Sequence, residues 1–502
     1  MKKFFVLLSL LTLSLCLQAQ PRFGEHPRLV VGIVVDQMRW DYLSRYYDHF
    51  TDGGFRRLID QGYSCNNCLI NYVPTVTAIG HTSAYTGTTP AFHGICGNSF
   101  VIDGHKVYCT ADSTVQTVGA EGKRGQHSPH NLLATTIGDQ LRLHTDFRSR
   151  VVGVSYKDRA AILPAGHAAN AAFWLDTKNL CFVTSTYYME QLPDYAKQVN
   201  AAIAKNKEAK KAGERIGYTP LCGTLTTDMA IAALEGENLG REEATDMLCV
   251  SYSQTDVIGH EWGTRGDRTD EVYLQLDKDL ARLLAALDQQ VGQGNYLLFL
   301  TADHGASHNW NFMNEHHLPA GPIYIEKLQK SIEEYVKEKL NNTKPVVKGI
   351  ADYRVFIDHK SVDAQVLDLQ RVKGIIVEYL RTYDGVVTAV DFERVRTSAL
   401  PQPLIDRILM GYHPRRSGDI IFIPEPQHYS WWDNLASTHT THGEWNPYDA
   451  HIPLLFFGWH IGHGATSREV HITDIAPTVC QMLHIQQPNA CTGEAIIELT
   501  DK

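Results

Sequence analysis

Five short apolar runs, each stopping at a polar cluster or a turn, constrain this chain more than any other feature. Leu29–Val35 stops at Asp36, Met247–Tyr252 runs toward Asp256, and Tyr296–Leu300 runs into Asp303 and His304. Ile420–Ile423 and Ile452–Phe457 complete the set. Near-continuous apolar runs of this length fit strands covered on both faces, the condition of a parallel sheet sandwiched by helices. Helical patterns fall between them. One opens at Thr269, an N-cap residue type, and runs to Val291 with Val272, Leu274, Leu276, Leu280, Leu283, Leu284 and Leu287 near a 3.6 period. Asp474 to Leu483 is a shorter one. This alternation predicts an α/β fold with a doubly wound, mostly parallel sheet flanked by helices. Residues 99–220 and 322–416 do not follow the alternation, and are expected to be insertions that cap one end of the sheet.

Composition agrees with a large folded domain. The 502 residues are 43% hydrophobic and 20% charged, enough to bury a sizeable core and too apolar for a disordered chain. Lys and Arg number 46 against 56 Asp and Glu, so the basic excess of a nucleic-acid binder is missing.

The first twenty residues stand apart. Lys2 and Lys3 precede an apolar run from Phe4 to Leu15, and Leu17-Gln18-Ala19-Gln20 follows, the pattern of a cleaved secretory signal over 1–20. The run is too short to span a bilayer, and no later stretch is long and apolar enough. Cys16 is a poor lipidation site, because Leu15 stands where a small residue is wanted. The remainder, 21–502, is expected to be one domain in the periplasm or medium. Cys65/Cys68, Cys96/Cys109 and Cys480/Cys491 are close enough to form local disulfides or to remain buried thiols. A lone Cys-x-x-Cys without a second one argues against a zinc site there.

In open α/β sheets, ligands bind beyond the carboxyl ends of the strands. Asp36, Asp256 and Asp303 are expected at those ends. His260 lies four residues after Asp256, one helical turn on, and His304 follows Asp303 directly. His442 lies in the Gly-flanked segment Thr440-Thr441-His442-Gly443. Carboxylate and imidazole donors suit Zn²⁺, and also Mn²⁺ or Fe²⁺. Each piece alone has a plainer reading, since such an Asp is often a helix cap and a lone DxxxH a solvated helix face. Their convergence at several strand ends points to a metal centre. His81, His93, His105, His316 and His451 are read as supporting or structural.

The segment Asn71–Thr82 begins as a loop and turns small and helical. A helix N-terminus offers unpaired N–H groups and positive dipole to an anion, and Thr77 would place a hydroxyl beside it. That hydroxyl needs a metal or a base to act as a nucleophile. The plainer reading makes Thr75, Thr77 and Thr82 helix caps.

With these residues in view, the chain resembles the alkaline phosphatase superfamily and, within it, the secreted phosphate-irrepressible, PafA-type alkaline phosphatases. The similarity runs through "VPTVTAIGHTSAYTGTTPAFHGICGN", "SYKDRAA", "TDVIGH", "TADHG", "THGEWNPYDAHIPLLFFG" and "DIAPTVCQML". The resemblance implies an alkaline phosphatase-like fold and two Zn²⁺ ions. It gives one ion Asp256, His260 and His442, and the other Asp36, Asp303 and His304 with Thr77 bridging. It makes Thr77 the covalent nucleophile of a phosphomonoesterase, and assigns Asn98, Lys157 and Arg159 to the phosphoryl oxygens. Small-molecule phosphate monoesters are the implied substrates of a monomer. Related phosphodiesterases and nucleotide pyrophosphatases lack the Lys/Arg pair and stand as the alternative. Sulfatases need a convertible Cys or Ser, which Thr77 is not. Cofactor-independent phosphoglycerate mutases use a Ser and are typically cytosolic. A catalytically dead binding protein would be expected to lack a ligand or the nucleophile.

Overall fold

A computed structural model describes residues 26–102, 104–431 and 439–500. The expected signal segment 1–20, with Cys16, lies outside them. A ten-stranded sheet organises the chain. In chain order its strands are β1 (Leu29–Val35), β2 (Tyr63–Cys65), β3 (Thr117–Val118), β4 (Val151–Ser155), β5 (Ala171–Asp176), β6 (Cys181–Ser185), β7 (Asp246–Tyr252), β8 (Tyr296–Thr301), β9 (Leu454–Gly458) and β10 (Gly464–Thr466). Their spatial order is β10-β2-β9-β8-β1-β7-β4-β5-β6-β3.

The centre, β8-β1-β7-β4-β5, is parallel throughout. Its inner strands are buried residue by residue, which is why they read as unbroken apolar runs. The flanks are mixed: β9 runs antiparallel to β8 and β2, and β6 antiparallel to β5 and β3.

Register sets the function of this centre. Val35 pairs with Tyr252, Val34 with Thr301, and Ser251 with Ser155, so β1, β7, β8 and β4 end at one level. Asp36, the residues leading to Asp256, Asp303 and the segment reaching Lys157 therefore leave the sheet at the same edge. Four helices matter for the site: α1 (Thr77–Thr86), α2 (Asp158–Ala165), α3 (Gln254–Trp262) and α4 (Asp267–Gln290). α4 buries Val272, Leu276, Leu280, Leu283, Leu284 and Leu287 of the stripe its sequence displays, while Leu274 is only half-buried. It begins two residues before the expected cap, and Thr269 instead donates its hydroxyl to the Gly263 carbonyl at 2.8 Å.

Three expectations change. The span 99–220 is not an insertion, because it supplies β3, β4, β5 and β6 to the main sheet. Its strands are short and interrupted by turns, which hid the alternation. Ile420–Pro424 is not a parallel core strand. It joins Val347–Ala351, Arg354–Ile357 and Val386–Asp391 in a second, antiparallel sheet with its own apolar cluster under the helices Ile325–Leu340 and Leu369–Leu380. The run Ile452–Phe457 divides at Pro453, and its second half is the antiparallel β9. A continuous apolar run reports burial on both faces and carries no information on strand direction. The nine described cysteines are free thiols, seven of them buried. Among the described residues no helix is long and apolar enough to cross a membrane.

Candidate active site

The strand ends deliver two compact donor clusters. Asp256, His260 and His442 form one, Asp36, Asp303 and His304 the other, with the donor atoms of each within 4.8 Å of one another. In the second cluster His304 Nε2 lies 3.6 Å from Asp36 Oδ1 and 3.5 Å from Asp303 Oδ2. In the first, His260 and His442 Nε2 lie 3.0 and 3.6 Å from Asp256 Oδ1. Two donors sharing a tetrahedral ion at about 2.0–2.1 Å would stand roughly 3.3 Å apart, so these spacings suit a common cation.

The histidines are oriented for that task. His260 Nδ1 is 2.8 Å from the Thr440 carbonyl, His442 Nδ1 2.7 Å from that of Thr75, and His304 Nδ1 2.9 Å from that of Gly305. Each carbonyl accepts the Nδ1 proton, which leaves the Nε2 lone pair facing the carboxylates, the usual support of a metal-ligating imidazole. Asp36 Oδ1, Asp303 Oδ2 and His304 Nε2 are buried without a hydrogen-bond partner among the described residues. Such groups are costly unless something else satisfies them. A divalent cation fits this donor set.

The clusters adjoin. The His304 and His442 rings stack with centroids 3.5 Å apart. Lys157 Nζ reaches Asp36 Oδ2 at 2.7 Å and Asp256 Oδ2 at 2.5 Å, so one ammonium spans both clusters. Gln37, at φ 62°, touches both as well: its backbone N–H donates to Asp303 Oδ1 at 3.1 Å and its side-chain amide to Asp256 Oδ1 at 2.7 Å.

Charge follows geometry. Burial raises Asp36 well above the usual carboxylate range, helped by the neighbouring Asp256 and Asp303 charges. Burial also acts on Asp256, but His260 and Lys157 outweigh it and hold that group well below its ordinary value. Burial lowers His304 and His442, keeping their imidazoles neutral as ligands must be. Burial would also lower His260, yet the Asp256 carboxylate outweighs it and raises that ring.

Thr77 is the first residue of α1, whose ten residues are all buried. None of the three threonines caps the helix: Val76 is at the N-cap, Thr75 donates its hydroxyl to the Glu444 carbonyl at 2.8 Å, and Thr82 to that of Ala78 at 2.6 Å. Gly80 lets α1 lie against Asp303, since a Cβ there would come within 2.2 Å of the Asp303 carbonyl oxygen. Asn98 Oδ1 accepts the Ala78 N–H at 3.0 Å, which brings its amide to the N-terminus of α1. Lys157 immediately precedes α2, and Arg159 is its second residue.

His81, expected to be supporting or structural, stands with Nδ1 3.1 Å from Asp303 Oδ2 and Nε2 2.7 Å from Ser251 Oγ. Sequence reasoning passed over a buried polar network beside His442. Glu444 and Asp449 are buried behind His442, where the Tyr448 hydroxyl and the Asn446 amide donate to Glu444 Oε2. The segment "THGEWNPYDAH" holds all of them, but periodicity cannot announce a buried polar network.

A family model for type I phosphodiesterase / nucleotide pyrophosphatase matches residues 30–445. The alkaline phosphatase PafA of Elizabethkingia meningoseptica is 41% identical, with 98% of each chain covered. This chain belongs to that family, on its PafA-type alkaline phosphatase branch. A Myroides odoratus relative of this family, named a calcium-transporting ATPase, is 43% identical with 95% of each chain covered. The solved structure of wild-type PafA superimposes with a TM-score of 0.91 at 41% identity, over 95% of this chain and 99% of that one. A solved variant of the same branch member replaces a threonine, an asparagine, a lysine and an arginine, spaced as Thr77 is from Asn98 and Lys157 from Arg159.

Proposed function

We propose that this protein is an exported, metal-dependent phosphomonoesterase working through a covalent phosphothreonine at Thr77. The observation that carries the reading is the pair of donor triads, each with its imidazole lone pairs turned inward, beside the buried N-terminus of α1. Two zinc ions suit these donors, one for Asp256, His260 and His442, the other for Asp36, Asp303 and His304 with Thr77 alongside. Bound there, such ions would supply Lewis-acid stabilisation of the attacking and leaving oxygens.

The chain's own residues do the rest. Thr77 Oγ1 attacks phosphorus in line with the leaving oxygen, so an O–P bond forms as the ester P–O bond breaks, and the proton given up by the hydroxyl ends, by way of solvent, on the departing alcohol. Water then cleaves the Thr77–phosphate bond, releasing inorganic phosphate and restoring the hydroxyl. Asn98 Nδ2, Lys157 and Arg159 bind the non-bridging oxygens, whose charge a monoester dianion spreads over three atoms. The substrates are small phosphate monoesters, and the protein acts as a monomer outside the cytoplasm after loss of residues 1–20.

Chelation followed by Zn²⁺ add-back should abolish and restore hydrolysis of an aryl phosphate, with about two ions bound per active chain. Full turnover by metal-free protein would refute the reading. Phosphodiester cleavage is the second reading, favoured by the family model's description. The ratio of kcat/KM for an aryl phosphate and its methyl diester separates the two. Alanine at Lys157 and Arg159 should depress the monoester far more, and equal losses on both would remove the argument that this pair sets specificity.

A further inference from the structure

We infer that Tyr108 is a positioning residue that aims Arg159 at the phosphoryl group and thereby sets the preference for monoesters over diesters. The inference rests on the role of Arg159 proposed above.

Arg159 Nη1 donates to the Tyr108 hydroxyl at 3.0 Å, and that hydroxyl donates onward to Asp158 Oδ1 at 2.9 Å. Thr110 donates its own hydroxyl to the same carboxylate oxygen at 2.7 Å. Each donor has an acceptor, so the chain has one consistent polarity from the guanidinium to the carboxylate. Arg159 Nε, by contrast, is buried with no partner among the described residues. No carboxylate pairs with Arg159 within ion-pair distance among the described residues, whereas Lys157 beside it is held by two. A tyrosine hydroxyl is a neutral acceptor. It fixes the plane of the guanidinium and leaves its charge for an anion, which a direct carboxylate partner would partly cancel.

The tyrosine is itself braced. Its ring meets His127 edge-on with centroids 5.7 Å apart, and His127 meets Trp174 of β5 in the same manner at 6.0 Å. Tyr108 ends a hairpin of Ser99–Ile102 with His105–Tyr108, in which it pairs with Ser99. The next residue, Cys109, donates its N–H to the Asn98 carbonyl at 3.0 Å. One hairpin therefore carries Asn98 just before its first strand and the partner of Arg159 at the end of its second. Its base rests on the second sheet. Gly97 packs so closely on the Asp352–Arg354 ion pair that a Cβ would lie 2.6 Å from Asp352 Oδ2. Asn98 and Arg159 are thus set in one frame. A monoester, with one more charged terminal oxygen than a diester, gains more from that frame.

The test uses metal-quantified enzyme as wild type, Tyr108→Phe, Arg159→Ala and the double variant, assayed on an aryl phosphate and its methyl diester. Inorganic phosphate binding is measured in parallel by calorimetry. Phenylalanine keeps the ring against His127 and removes only the hydroxyl. Tyr108→Phe is expected to lower monoester kcat/KM about tenfold, the effect of one hydrogen bond to a charged group, and to weaken phosphate binding by a similar factor. The diester rate should stay within about threefold, and adding Tyr108→Phe to Arg159→Ala should cost less than about twofold more, because coupled groups are not additive. Wild-type monoester kinetics and phosphate affinity in Tyr108→Phe, equal losses on both esters, or an undiminished loss in the Arg159→Ala background would each overturn the inference. If Arg159→Ala itself leaves the monoester rate intact, the role proposed for Arg159 fails first and takes this inference with it.

Discussion

The two donor clusters share a chemistry and differ in how they are held. Asp36, Asp303 and His304 are sealed from solvent. They sit directly on the ends of adjacent parallel strands, with a buried helix pressed against Asp303. In the other cluster the His260 side chain is 31% exposed, and His442 arrives on a loop tied by the Thr75 carbonyl. Strand ends in register form a rigid frame, whereas a loop-borne ligand depends on the hydrogen bonds that seat it. The inner cluster is therefore the more preorganised of the two, and an ion held by the outer cluster is expected to exchange faster.

The largest expected effect comes from the inner frame. Asp303→Asn should lower kcat/KM for an aryl phosphate by about 10³-fold or more and cost the inner cluster any ion it holds, because a neutral amide replaces an anionic donor. Near-normal activity with full metal content would break the comparison. Timed chelation, followed by metal analysis, should come next in size. The outer ion should leave first, with the inner lost about tenfold more slowly or worse, the scale on which supporting hydrogen bonds alter metal affinity. A single-phase loss of both ions would show that the clusters behave as one.

Gln37 sharpens the contrast, since it serves the inner cluster with its backbone and the outer with its side chain. Gln37→Ala should weaken the outer ion by about 10- to 100-fold and leave the inner one unchanged. Competition with a metal-sensitive dye reads both affinities, and equal weakening would contradict the division.

The smallest effect separates acid lability of the fold from loss of metal. Burial, with the nearby Arg416 charge, holds His93 down to about 3. Its folded value lies below its unfolded one, so stability is intact above the unfolded value and falls once pH drops below it. At pH 5 that loss should reach about 2 kcal/mol for this group alone. Denaturant melts of wild type and His93→Gln at pH 7 and 5 measure it. An identical acid loss in both proteins would rule His93 out as its source.

Much of the site was legible along the chain. Asp36, Asp303 and His304 follow apolar runs directly, so a strand-end position could be read without coordinates. The spacing of Asp256 and His260 placed them on one helical turn, and α3 carries both. His442 had only a glycine beside it to mark it, and the reading of Asn98, Lys157 and Arg159 leaned on resemblance. Lys157-Asp158-Arg159 looks like a solvated surface triplet until β4 is known to end beside β7. The same short strands that hid β3 to β6 within 99–220 hid this segment's place in the sheet. Tyr108 and Gln37 left no trace, because neither lies on a periodic face.

Local chemistry along the chain was enough to determine the buried strands, the main helices and the residue types able to hold a cation. Those properties depend on patterns a few residues long, governed by side-chain solvation and backbone period. Which strands neighbour one another, in which direction, and at what register was decided by tertiary packing alone. That register brings carboxylates more than two hundred positions apart to one edge of the sheet, because alignment of non-local strands is settled by the packing of whole faces.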